Sequence, residues 1–174
     1  MSALISEGYR DLNAELHLSS KKFGSQGHHW AARVSAFLEE GYSVLDYGCG
    51  KRTLEMALGF PIDNYDPCIP GLDETPRPHA IVACTDVLEH IEPECIEAVL
   101  KHIHSLAGKV AILVISLIPA QKVLPDGRNA HICLQKPLWW MSWIRKYFTV
   151  VEEFTTDQYL LVVCTKFPQL EVVK

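Results

Sequence analysis

The segment Ser43–Gly50, SVLDYGCG, constrains the fold of this chain more than any other. A short apolar run ends in Asp46, and two glycines, Gly48 and Gly50, follow one residue apart. Such a strand delivers the chain to a sheet edge, where glycines let the backbone turn tightly against a ligand. A second apolar stretch ends in NYDP and places Asp66 twenty positions after Asp46. An acid at the end of the next strand accepts hydrogen bonds from ribose hydroxyls, so the layout is that of a nucleoside-binding βαβ unit. A lone GxG is common to many tight turns. The spacing to Asp66 and a third stretch, IVACTDVLEHI over 81–91, make the pattern specific.

The glycine spacing narrows the choice of nucleoside. Gly48 and Gly50 are followed by Lys51, Arg52 and Thr53, so Thr53 stands where a dinucleotide fold carries its third glycine beside a pyrophosphate. A phosphate-binding P-loop is excluded as well, because GKRT lacks the upstream glycine of GxxxxGK[ST].

A chain of 174 residues is expected to form one domain, residues 1–174, with a core that needs neither disulfide nor metal. The formal charge of −5 does not favour a nucleic-acid partner, which is held through phosphate neutralisation by Lys and Arg. None of the six cysteines forms a CxxC pair, and several fall in or beside expected strands, where Cys is a small hydrophobe. They are read as reduced thiols of a cytoplasmic protein. The N-terminus lacks the basic and apolar regions of a signal peptide, and the longest apolar run, VAILVISLIPA over 110–120, is too short for a membrane span.

Residues before about Gly27 read as mixed and polar, with a loop at SSKKFGSQG. A helix is expected over 28–40, with Trp30, Val34, Phe37 and Leu38 at helical spacing. Strands are expected at 43–47, 62–65, 80–84 and 109–117, and helices at 53–58, from Pro93 and from about Pro137. Two last strands, 149–154 and 159–165, read as a hairpin. Prolines at 67, 70, 76 and 78 exclude a helix or central strand from the interval before His79. The pattern predicts an α/β fold with a mostly parallel sheet and a C-terminal antiparallel hairpin strand.

VLDYGCG, YDP and VACTDVLEHIEPE together resemble the class I S-adenosylmethionine (SAM) dependent methyltransferases, most closely small ones of bacterial and phage type. The resemblance runs from about Lys22 to Thr165. It implies a Rossmann-like sheet that is truncated between strands two and four of the usual fold. About thirteen residues stand where that fold holds two helices and an edge strand. Arg52 replaces the last glycine of the family's usual GxGxG.

The resemblance also assigns a site. Asp46, Tyr47, Gly48 and Gly50 would serve the methionine end of SAM, and Asp66 with Pro67 the ribose. Thr85, Asp86 and Val87 would line the methionine and sulfonium. The loop PDGRNAH over 125–131 follows a strand, so it belongs to the sheet edge where ligands bind. Asp126, Arg128 and Asn129 are candidate acceptor contacts there. In related small methyltransferases a histidine often stands at this place, which makes His131 a general base conditional on the acceptor. Residues 1–27 are either a lid over SAM or a solvated loop.

Other residues have plainer readings. Glu89 and His90 lack the HExxH spacing, so no metal is assigned. Trp139, Trp140 and Trp143 are read first as core, ahead of a lid or a stacking platform for bases. The expected function is methyl transfer from SAM to a small molecule, with S-adenosylhomocysteine as the product and no membrane partner. The alternatives are other SAM chemistry, such as lyase or aminocarboxypropyl transfer, and a non-catalytic SAM-binding module. A nicotinamide enzyme is disfavoured by the absent GxGxxG.

Overall fold

The computed structural model describes residues 3–166. Strand β1, Val44–Tyr47, is buried along its whole length. Parallel partners flank it on both sides: β2, Asp63–Tyr65, and β3, His79–Thr85. β3 pairs in parallel with β4, Ala107–Ser116. The chain then adds a hairpin, β5, Thr149–Thr155, and β6, Tyr159–Thr165, with β6 antiparallel to both β4 and β5. The order across the sheet is β2-β1-β3-β4-β6-β5.

Side chains alternate across a strand, so a central strand covered on both faces is apolar throughout. Leu45, Val82, Cys84, Leu113 and Ile115 face one layer, with α4, Ile96–Leu106, and α5, Pro137–Ile144. Val44, Ile81, Ala83 and Ile112 face the other, with α2, Ala31–Ser35, and α3, Thr53–Leu58. Trp140 is fully buried, and Trp139 and Trp143 pack beside it on the first layer. Of the tryptophans of α5, Trp140 is core and Trp139 and Trp143 are half-buried against it. All six cysteines are free and buried. No helix among the described residues is long and apolar enough to cross a membrane.

The shortened middle of the chain takes the expected form. Between β2 and β3 the chain only turns, closing on itself where Asp66 N–H donates to the Leu72 carbonyl at 2.8 Å. Among the described residues no strand covers the outer side of β2, which is left as an edge. Arg52 takes the left-handed conformation at φ 56°, so the backbone keeps a shape that glycine would adopt more cheaply.

Two expectations need correction. The polar N-terminal stretch contains a helix, α1, Glu7–Ser19. Its buried face carries Tyr9, Asn13, Leu16 and His17 at helical spacing, but half of those residues are polar and gave no apolar stripe. The expected helix over 28–40 is much shorter. A 3₁₀ turn, Gly27–Trp30, precedes α2, and the chain leaves the helix after Ser35.

Candidate functional site

The strand order reverses between β2 and β3 on either side of β1, and a crevice opens there beyond the carboxyl ends of the strands. It holds a cavity of about 750 Å³. Three acids reach it from three adjacent strands: Asp46 from β1, Asp66 just after β2 and Asp86 just after β3.

Asp46 is buried, and its carboxyl is pushed up to about 7, first by that burial and then by the charges of Asp66 and Glu55. Asp66 is held rigidly: Oδ2 accepts from Gly50 N–H at 3.1 Å and Oδ1 from Cys68 N–H at 3.0 Å. Lone pairs remain on both oxygens for further donors. Asp86 sits at φ 55°, and its Oδ2 accepts from the Trp30 indole at 3.1 Å. Burial raises its pKa.

The glycine loop folds tightly because both its glycines are boxed in. Gly48 lies at φ 80°, and a Cβ there would stand 2.4 Å from Val87 Cγ2. A Cβ on Gly50 would stand 2.4 Å from the Gly24 carbonyl oxygen. Gly48 borders the cavity with Tyr47 and Cys49, whereas Gly50 stands behind them against Gly24 and Asp66. Tyr47 turns its ring into the core, where its hydroxyl pairs with His102 Nδ1 at 2.9 Å. Pro67, Thr85 and Val87 line the cavity.

The opposite wall comes largely from residues that the motifs did not mark. α1 lies over the cavity mouth, fastened at its start by Ser6, whose N–H and hydroxyl donate to the Glu92 carboxylate at 2.8 and 2.6 Å. Tyr9 donates its hydroxyl to the His90 carbonyl at 2.8 Å. From α1, Asn13 and His17 face the cavity, and His17 Nε2 lies 3.7 Å from Asp66 Oδ2. Burial lowers the His17 pKa, with Asp66 partly opposing it. Phe23 and Trp30 add an aromatic cover. The only sequence signal for these residues was the helical spacing of 9, 13, 16 and 17, visible once polar residues are counted in the pattern.

The loop after β4 divides in two. Ile118 to Lys122 and His131 line the cavity. Asp126, Arg128 and Asn129 do not, contrary to the expectation for acceptor contacts. Arg128 pairs with Asp126 at 2.7 Å on the surface. The Asn129 side chain clasps Ala120, accepting from its N–H at 3.0 Å and donating to its carbonyl at 2.8 Å. Asn129 thus spends its polar atoms on the loop itself, and that clasp sets His131 inward. His131 Nδ1 donates to the Ile118 carbonyl at 2.6 Å, which leaves Nε2 as the lone-pair nitrogen. Burial lowers its pKa, so the ring is neutral and able to accept a proton.

Comparison with known proteins places this site in a family. A family model described as a methyltransferase domain matches residues 23–160. The chain belongs to that family. It is a class I SAM-dependent methyltransferase by family, and its sheet, edge truncation and antiparallel end fit that fold. A comparison with curated protein sequences finds no match.

Among solved structures, the chain resembles the 1,6-didemethyltoxoflavin-N1-methyltransferase of Burkholderia thailandensis, bound to 1,6-didemethyltoxoflavin and S-adenosylhomocysteine. That likeness has a TM-score of 0.68 and 18% identity, and covers 97% of this chain and 92% of that one. DhpI in its S-adenosylhomocysteine complex matches with a TM-score of 0.64 and 18% identity, over 94% of this chain and all of its own, 100%. The 16S rRNA methyltransferase RmtF with S-adenosylhomocysteine matches more loosely, at a TM-score of 0.51 and 14% identity, over 92% and 75% of the two chains. At these identities the likeness is one of fold.

Proposed function

We propose that this methyltransferase binds SAM in the cavity at the strand ends and transfers its methyl group to a small-molecule acceptor. The observation that carries the reading is the convergence of Asp46, Asp66 and Asp86, from three adjacent parallel strands, on one enclosed space at the switch point. The residues suit the cofactor. Asp66 offers free lone pairs to ribose hydroxyls, Asp46 and Asp86 offer acids to an ammonium group, and Gly48 leaves room for the Val87 side chain packed against it at the cavity lining.

When bound, SAM supplies a methyl group already activated by its sulfonium. The work of the chain is then alignment and exclusion of water. α1, Phe23 and Trp30 close the cavity from above. Thr85, Asp86 and Val87 line the cavity, as do Ile118 to Lys122 and His131, and between these two groups the chain would hold the methyl end of SAM and the acceptor. His131 Nε2 is the group able to take a proton from an acceptor that must lose one early, as a hydroxyl does.

The net charge of −5 and the aromatic and apolar side chains among the cavity lining support a small acceptor over a nucleic acid, whose backbone needs a basic track. The toxoflavin-precursor methyltransferase is a relative in fold that acts on such a molecule.

Ligand-dependent melting tests the cofactor reading. SAM and S-adenosylhomocysteine at ~100 times their dissociation constants should add about 2.7 kcal/mol of stability, and NAD should add none. Stabilisation by NAD alone would overturn it. Released S-adenosylhomocysteine, rather than methylthioadenosine or homoserine lactone, is the product expected in a mixture of small acceptors.

A further inference from the structure

Behind the acceptor wall, Glu89, His90 and His131 come together although the sequence separates the last from the others by some forty positions. One ligand atom from each lies within 4.8 Å of the other two. Glu89 is wholly buried. Its Oε1 accepts from Ser116 N–H at 3.0 Å, but its Oε2 has no hydrogen-bond partner. A buried carboxylate with an oxygen left bare is costly unless a proton or a cation settles it.

The two histidines are arranged to supply lone pairs rather than protons. His90 Nδ1 lies 2.8 Å from the Ala130 carbonyl, and His131 Nδ1 lies 2.6 Å from the Ile118 carbonyl. A carbonyl oxygen only accepts, so each Nδ1 carries the hydrogen and each neutral ring keeps its lone pair on Nε2. Backbone carbonyls that fix the tautomer and the plane of a ring are the usual outer support of a metal-ligating histidine. His131 Nε2 points back towards Glu89 Oε1 at 4.0 Å. No Lys or Arg bonds to Glu89 or Asp86 among the described residues; the Asp86 carboxylate accepts from the uncharged Trp30 indole, with His131 and His29 near it.

We propose that Glu89, His90 and His131 bind a first-row divalent transition-metal ion, with the open coordination positions turned to the cavity. Two imidazoles and one carboxylate suit Mn²⁺, Fe²⁺, Co²⁺ or Zn²⁺ better than Mg²⁺ or Ca²⁺, which take oxygen-only sets. Ligand distances of about 2.0–2.2 Å put neighbouring ligand atoms roughly 3–3.5 Å apart, so the three groups, now within 4.8 Å of one another, close by about 1 Å or somewhat more to hold an ion. His90 and His131 both border the cavity, so remaining ligands would come from that side. If the methyl-transfer reading holds, the acceptor is then one that presents an oxygen or nitrogen donor beside the transferred group. His131 would serve as ligand rather than base, since both roles use the same Nε2 lone pair.

The binding test needs neither SAM nor an acceptor, so its outcome is independent of the cofactor test. Full-length protein stripped with a chelator is titrated with CoCl₂ and followed by visible absorption. Saturable d–d bands at micromolar Co²⁺, displaced by Zn²⁺, are expected. E89Q and H131A should weaken binding at least tenfold. R128A, on the surface outside the cluster, should bind as wild type does. Absent d–d absorption at millimolar Co²⁺, or unchanged affinity in folded H131A, would overturn the site. Should either ligand variant fail to fold, the wild-type histidine NMR spectrum decides. Mn²⁺ should broaden the His90 and His131 ring signals first, and broadening that spares them overturns the proposal.

Discussion

The two walls of the cavity are built on different principles. The wall at the ends of β1, β2 and β3 is made of backbone turns and acids within a few residues of a strand end. The facing wall is assembled from α1, the turn at Gly27–Trp30 and the loop after β4, segments far apart in sequence that meet only through tertiary contacts. The first wall offers charge and a fixed floor. The second offers aromatic cover, histidines and a hinge-like attachment through Ser6–Glu92 and Tyr9–His90. The two walls are joined at a few points, where the Trp30 indole donates to Asp86, His17 lies 3.7 Å from Asp66 and Gly24 abuts Gly50, so the loop after β4 is the part of the second wall freest to vary without touching the strand ends.

The sharpest way to break this contrast is Gly48→Val. The residue sits at φ 80° with Val87 in the way of any Cβ, so strain and overlap together cost roughly 2–5 kcal/mol. SAM binding should vanish by calorimetry and melting should drop sharply. Normal binding by this variant would mean that the floor is not where the ligand lies.

Asp66→Ala comes next. Loss of charge-assisted bonds to the ribose should weaken SAM ten- to a hundredfold, about 1.5–3 kcal/mol. The variant also strips Gly50 N–H and Cys68 N–H of their acceptor, so some loss of stability accompanies the loss of affinity. Asp66→Asn retains an acceptor oxygen and separates the two effects. It should melt closer to wild type while still binding SAM more weakly. Equal SAM affinity in wild type and a folded Asp66→Asn would remove Asp66 from the site.

What was readable in the sequence follows the same division. SVLDYGCG, NYDP and IVACTDVLEHI announced β1, β2 and β3 because strand, turn and acid are contiguous there. The prolines of 67–78 announced the missing strand by forbidding its hydrogen bonds. α1 escaped because Asn13 and His17 are buried for the sake of the cavity, which dilutes the apolar stripe. The helix over 28–40 was overextended because Phe37 and Leu38 keep helical spacing after the chain has turned away. Position at the strand end marked PDGRNAH correctly as a rim loop but could not say which side chains face inward. His131 does, and Asp126, Arg128 and Asn129 do not.

A smaller effect tests the charge carried by the first wall. Burial holds the Asp46 carboxyl at about 7, above the value it takes in the unfolded chain. At Asp46 the folded protein therefore binds more protons than the unfolded one between about pH 4 and pH 7, while His17, His90 and His131, whose pKa values burial lowers, work in the opposite sense. The share of ligand-free stability that belongs to Asp46, read as wild type minus Asp46→Asn, should fall as pH rises through that window and level off above it. A ligand ammonium prefers the ionised carboxylate, so SAM affinity should move the other way and rise up to roughly tenfold between about pH 6 and pH 7.5. Asp46→Asn should flatten the affinity trend. A wild-type affinity that is flat across the window would separate Asp46 from the bound cation.

The smallest effect is expected at Arg128, and it divides the second wall itself. The guanidinium pairs with Asp126 and lies 5.4 Å from the centre of the Tyr9 ring, outside the cavity lining. Its neighbours two and three residues on take the opposite orientation: Ala130 is buried and His131 borders the cavity. The turn at Gly127, where φ is 90°, and the Asn129 clasp on Ala120 hold that reversal without help from the ion pair. Arg128→Ala should therefore leave SAM affinity unchanged and turnover within about twofold of wild type, as for an ordinary surface substitution. His131→Ala, three residues away, should leave SAM affinity intact but cost turnover heavily, through a lost base or a lost ligand. Steady-state kinetics with an identified acceptor would separate the two. A loss of kcat with Arg128→Ala comparable to that with His131→Ala would show that the outer half of the loop also reaches the acceptor, and the inward–outward division of this wall would fall.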